Sequence, residues 1–147
     1  MMPQYHIAAS SILAVAFYYL TNSVSASFLC FFSGFCIDID HLLDFWLYKK
    51  RIAFSEEVFQ DFYIKWDKVP VLLHSVELLI PLWSLGYAFT PVSFVVAVSA
   101  GFVLHIILDL FTNETKPLGY FLSYRLVKGF DKKFICGSRC INFGRSK

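Results

Sequence analysis

This sequence predicts an all-α integral membrane protein, a four-helix up-and-down bundle with an amphipathic interfacial helix between helices 2 and 3. Three observations carry that prediction. The 147 residues are 57% hydrophobic and 19% aromatic, and the mean hydropathy of +0.59 is too high for an ordinary soluble domain of this size. Four apolar segments stand out, the first two and the last two each parted by a short polar break. The 13 basic residues are clustered in the central loop and the C-terminal tail. The chain reads as one membrane-embedded domain over residues 1–147.

The first helix is expected over about residues 4–21. It is short for a span of about 20 residues. Its amino end has no Lys or Arg, so it reads as a retained helix rather than a signal peptide. Thr21-Asn22-Ser23 breaks the chain, and the second helix is expected over 23–48. The third, over 70–89, and the fourth, over 91–112, are parted by Thr90-Pro91. Both breaks are tight enough to make antiparallel hairpins.

The loop KKRIAFSEEVFQDFYIKWDK carries five basic and four acidic residues, and the tail beyond Thr115 carries eight basic and one acidic. The two short breaks carry none. The positive-inside rule therefore places the loop, the basic tail over 115–147 and the N-terminus on the cytoplasmic side of the inner membrane. In the loop, Ser55 is a candidate helix cap followed by Glu56 and Glu57, and Phe54, Val58, Phe62 and Trp66 recur at four-residue intervals. That pattern suits either a helix in the membrane interface or one packed on the bundle. In the tail, aromatic residues alternate with Arg125, Lys128, Lys132 and Lys133, a mixture suited to anionic lipid head groups. Membrane lipids are the expected partners, and no nucleic acid is expected. Cys136 and Cys140, the CGSRC pair, read as incidental thiols.

The apolar segments are interrupted by ionisable residues. An ionised carboxylate in such surroundings costs several kcal/mol unless it is paired, protonated or metal-bound. His6, Asp38 and His74 lie 16 residues from the nearer break, taken as Asn22 or Thr90, and His105 lies 15. At the helical rise that is about 23 Å for each. Asp40, His41 and Asp109 are 18 or 19 residues away, one turn nearer the cytoplasm. Asp38 with His41, His74 with Glu77, and His105 with Asp109 share helix faces at spacings of three or four. Asp40 and Asp44 point to another face, and Asp44, beside Trp46 and Tyr48, reads as interfacial.

Four helices thus bring imidazoles and carboxylates to one depth, the chemistry of a metal centre. Imidazole nitrogen with carboxylate oxygen suits Zn²⁺ first, and also Mn²⁺ or Fe²⁺. The expected ligands are His6, Asp38, His41, His74, His105 and Asp109. Asp40 and Glu77 are candidates for a general base or for orienting a ligand imidazole. With an open coordination position such a metal brings the pKa of bound water toward 7, which leads to hydrolysis. Arg125 and Lys128 are candidates to neutralise a substrate phosphate. Two rivals use the same residues: haem held axially by histidines, and an ion or proton carrier. A catalytically inactive structural protein is a third.

The elements GFCIDIDHLLD, LLHSVELL and GFVLHIILDLFTN, with His6 in the first helix, resemble the membrane-bound metal-dependent hydrolase family, whose bacterial members include LexA-regulated proteins. The likeness runs from His6 to about Phe130. Its core is the G-x-x-x-D-x-D-H element at Gly34, Asp38, Asp40 and His41, then His74, then His105 and Asp109. It implies a helical metal site distantly similar to that of zinc-dependent phospholipase C and the P1-type nucleases, and hence phosphoester hydrolysis. The chain departs from the family pattern at Ile37, where proline is usual, and at Val69, where an earlier histidine would stand; Glu77 is the candidate substitute ligand.

Overall fold

A computed structural model of the chain describes residues 3–51, 58, 63 and 66–137. The chain is all-helical, with no strand among the described residues. Most of the expected interfacial helix, including Phe54, Ser55, Glu56, Glu57 and Phe62, lies outside them, as does Cys140.

Helix α1 runs Pro3–Thr21, with proline in the first turn, where its missing N–H costs nothing. It stops at Asn22, whose φ of +50° suits asparagine. Ser23 then caps α2, Val24–Phe35, by accepting from the Ala26 amide at 3.2 Å. A 3-10 turn, Cys36–Asp38, separates α2 from α3, Ile39–Lys49. The helix expected over 23–48 is therefore interrupted at Cys36–Asp38, where the acidic motif begins. Helix α4, Leu79–Phe89, follows a 3-10 turn at Val76–Leu78. Thr90 ends it, its amide and hydroxyl both donating to Gly86 O. Helix α5 runs Val92–Thr112. The tail folds into a 3-10 turn at Pro117–Tyr120 and two short helices, α6 over Leu122–Val127 and α7 over Lys132–Ile135.

The expected third helix over 70–89 is shortened. Residues 70–75 form turns instead, and two carboxylates of α3 reach them: Asp44 accepts from Val71 N and Asp40 from Leu73 N, each at 2.9 Å.

Val24–Lys49 and Val92–Thr112 are each long and apolar enough to cross a membrane. The chain divides into two compact units. One comprises Met2–Ile37 and Glu77–Leu108. Its core is Ala26, Cys30 and Ala97 with Leu13, Phe17, Leu29, Phe94 and Ala100 against them. Small residues let these helices approach: a Cβ on Gly34 would strike Ser10 Oγ, and one on Gly101 would strike Cys30 O and Ser33 Oγ. The outer faces stay apolar, with Leu20, Val24, Phe28, Leu85, Phe89 and Val92 all more than half exposed. Contiguous apolar exposure of that extent marks an interaction surface.

The other unit comprises Asp38–Val76 and Asp109–Lys147. Its core is Phe45, Val58, Tyr63, Val69, Val71, Ile135 and Cys136. The tail is tied to the loop before His74 by Lys132 with Asp67 at 2.6 Å and by the pairing of Lys68 with Asp131. Its described part, up to residue 137, is folded and not merely a basic extension.

Candidate metal centre

The 3-10 turn at Cys36–Asp38 and the first turn of α3 place Asp38, Asp40 and His41 close together. The turns over 70–75 bring His74 to them, and the last turn of α5 brings Asp109. All five belong to one unit. Asp38, Asp40, His74 and Asp109 are buried.

The two nitrogens of His74 have different surroundings. Nδ1 lies 3.1 Å from Asp40 Oδ2. A carboxylate accepts, so Nδ1 carries the proton and Asp40 fixes the tautomer and the ring plane. Nε2 lies 3.5 Å from Asp38 Oδ1 and 3.3 Å from Asp109 Oδ2. His41 Nε2 is 3.6 Å from the same Asp38 oxygen, and the two imidazole rings meet edge to face at 5.0 Å.

Asp38, His41 and His74 each offer one ligand atom, all within 4.8 Å of one another. In a tetrahedral site with bonds of about 2.0–2.1 Å, ligand atoms stand about 3.3 Å apart. The separations of 3.3, 3.5 and 3.6 Å are close to those edges. The donor set fits a divalent ion chemically as well as geometrically. Three buried carboxylates, Asp38, Asp40 and Asp109, surround two imidazoles. Without a metal that arrangement favours protonated imidazole at His74. Burial pushes the His74 imidazole down, but the adjoining carboxylates of Asp40, Asp109 and Asp38 outweigh it and hold the group well above its ordinary value. A divalent cation would supply two positive charges in place of that one proton.

His6 and His105 belong to the helical unit. Both are fully buried and stack with centroids 3.9 Å apart. His105 Nδ1 donates to Gly34 O at 2.8 Å, which leaves the lone pair of the neutral ring on Nε2. Glu77 also belongs to that unit, in the turn Val76–Leu78, and is half-buried.

The two cations expected to face a substrate phosphate differ in setting. Lys128 sits over the rings of Phe134 and Tyr124, at 5.0 and 5.9 Å. Arg125 is fully buried. Its Nη1 donates to Pro70 O and Val71 O at 2.7 and 2.6 Å, and its Nη2 to His74 O and Ser75 Oγ. The phosphate role expected for Arg125 is corrected accordingly: its guanidinium is aimed at the His74 loop. Asp44, read from its aromatic neighbours as interfacial, is 5% exposed and accepts from Tyr63 Oη at 3.1 Å. Its spacing of four from Asp40 was the signal that it turns inward.

Compared with protein-family models, with curated proteins and with solved structures, the chain matches none.

Proposed function

We propose that the chain is a membrane-embedded metal-dependent hydrolase that cleaves a phosphoester, with a lipid head group as its substrate class. The four long helical segments form an up-and-down bundle in the inner membrane with both termini cytoplasmic, a topology supported by the basic central loop and tail. The observation that carries the reading is His74, held at Nδ1 by Asp40 while Nε2 faces Asp38 and Asp109. A carboxylate–imidazole pair aimed at further carboxylates is the outer-shell pattern of metal sites, and it raises the basicity of the ligand nitrogen.

Asp38, His41, His74 and Asp109 would hold a divalent ion, zinc first given the mixed nitrogen and oxygen donors. Bound there, the ion supplies Lewis-acid polarisation and activates water near neutral pH. The chain's own residues do the rest. Asp40 keeps the proton on His74 Nδ1 and so keeps Nε2 as the donor nitrogen. Lys128, with Lys133 nearby in sequence, draws anionic head groups to the tail. Phosphoester specificity rests on the likeness of the Gly34–His41, His74 and His105–Asp109 elements to the membrane-bound hydrolases.

The test is turnover of phosphatidylglycerol and phosphatidylcholine in mixed micelles, followed by phosphorus NMR, with Zn²⁺ or Mn²⁺ added or chelated. Metal-dependent release of a phosphorus-bearing product, lost in His74→Ala, is expected. Equal signals from wild type and His74→Ala would overturn the assignment.

A further inference from the structure

The turn that presents His74 is strained at Val71. Its φ is +31°, in the left-handed region, where a β-branched side chain crowds its own backbone. The Val71 side chain is nonetheless packed in the core with Phe45, Val58 and Tyr63.

Both polar backbone groups of Val71 are held by buried charged side chains. Its N–H donates to Asp44 Oδ2 at 2.9 Å, and its carbonyl accepts from Arg125 Nη1 at 2.6 Å. The carbonyl also accepts from the His74 amide at 3.1 Å, which closes the turn. Arg125 spans the same turn from Pro70 O to His74 O. Asp44 is on α3 and Arg125 on α6, so one segment is gripped by two elements distant in sequence. Neither belongs to the ligand set. Two buried charges committed to one short turn cost desolvation, and that outlay is understandable where a strained conformation must be kept.

We propose that Asp44 and Arg125 are a pair of positioning residues that hold the strained turn Val71–His74 and thereby aim the His74 imidazole at Asp38 and Asp109. This rests on the metal-centre reading, because its consequence is metal affinity. Lysine cannot replace Arg125: one ammonium cannot reproduce the two-nitrogen fork that reaches Pro70, Val71 and His74 together.

The test uses the full chain in detergent, with Co²⁺ as a spectroscopic probe of affinity and amide exchange of the 70–75 segment as a readout that needs no metal. Arg125→Lys and Asp44→Asn are expected to weaken Co²⁺ binding at least about tenfold and to speed exchange of the turn. A second comparison isolates the strain. At ordinary positions glycine is worse than alanine, but glycine accepts a positive φ. In the Arg125→Lys background, Val71→Gly should therefore bind Co²⁺ more tightly than Val71→Ala.

Wild-type affinity and wild-type exchange in Arg125→Lys would overturn the proposal, as would tighter binding by Val71→Ala than by Val71→Gly. If Arg125→Lys does not yield monodisperse protein, the near-isosteric Asp44→Asn carries the same comparison. Failure of the wild type itself to bind Co²⁺ would overturn the metal centre, and unchanged exchange in the variants would separately overturn the clamp.

Discussion

Replacing Asp40 by asparagine should weaken metal binding about 10- to 100-fold without abolishing it. Asp40 Oδ2 accepts from His74 Nδ1 at 3.1 Å and from Leu73 N at 2.9 Å, in a site only 3% exposed. Asparagine has nearly the same volume, so packing is preserved. Its amide oxygen can still accept from one or both donors, and what is lost is the charge on the acceptor. Hydrogen bonds to charged groups contribute about 1.5–3 kcal/mol. A 10- to 100-fold loss corresponds to about 1.4–2.7 kcal/mol, so the two routes agree.

A second effect opposes the first. Asp40 also helps hold the His74 proton in the metal-free protein, and its removal eases proton competition. The loss measured at neutral pH is therefore a lower bound that should grow as pH rises. The assay is Zn²⁺ competition with a chromophoric chelator at pH 7 and pH 8.5, with Asp38→Asn as the reference for a lost ligand. Wild-type affinity in Asp40→Asn would refute the orienting role. Loss as complete as in Asp38→Asn would make Asp40 a ligand itself.

The remaining predictions concern protons, packing and topology. Because the His74 imidazole lies well above its ordinary value without metal, metal binding at neutral pH should release about one proton from it. Binding should then tighten about tenfold per pH unit as pH rises toward that group's folded value, and calorimetry in buffers of different ionisation enthalpy measures the release. Gly101→Ala puts a Cβ into Cys30 O and should cost about 1–3 kcal/mol, seen as a lower thermal midpoint in detergent. A C-terminal fluorescent-protein fusion should be bright and a C-terminal alkaline phosphatase fusion inactive if the tail is cytoplasmic; the reverse pattern would refute that topology.

Much of the scaffold was legible because its signals are local. The expected helices over 4–21 and 91–112 agree with Pro3–Thr21 and Val92–Thr112 to within a residue, since a left-handed asparagine, a serine cap and Thr90-Pro91 end elements by their own chemistry. Asp38 and His41 were legible as a pair by their spacing of three, and the structure puts His74 beside both. The turns at 36–38 and 70–75 were not legible. Nothing local to them says that Val71 N and Leu73 N are taken by Asp44 and Asp40, some 30 positions away. Arg125 was misread for the same reason. A basic residue in a basic tail looks solvated until the fold supplies four acceptors for it.

The most direct test of the central claim is elemental analysis of the detergent-purified protein, wild type beside Asp38→Ala and His74→Ala. Stoichiometric zinc, manganese or iron in the wild type, lost from both variants while they remain monodisperse, is the predicted result. No metal in the wild type after reconstitution, or full stoichiometry in both variants, would contradict it.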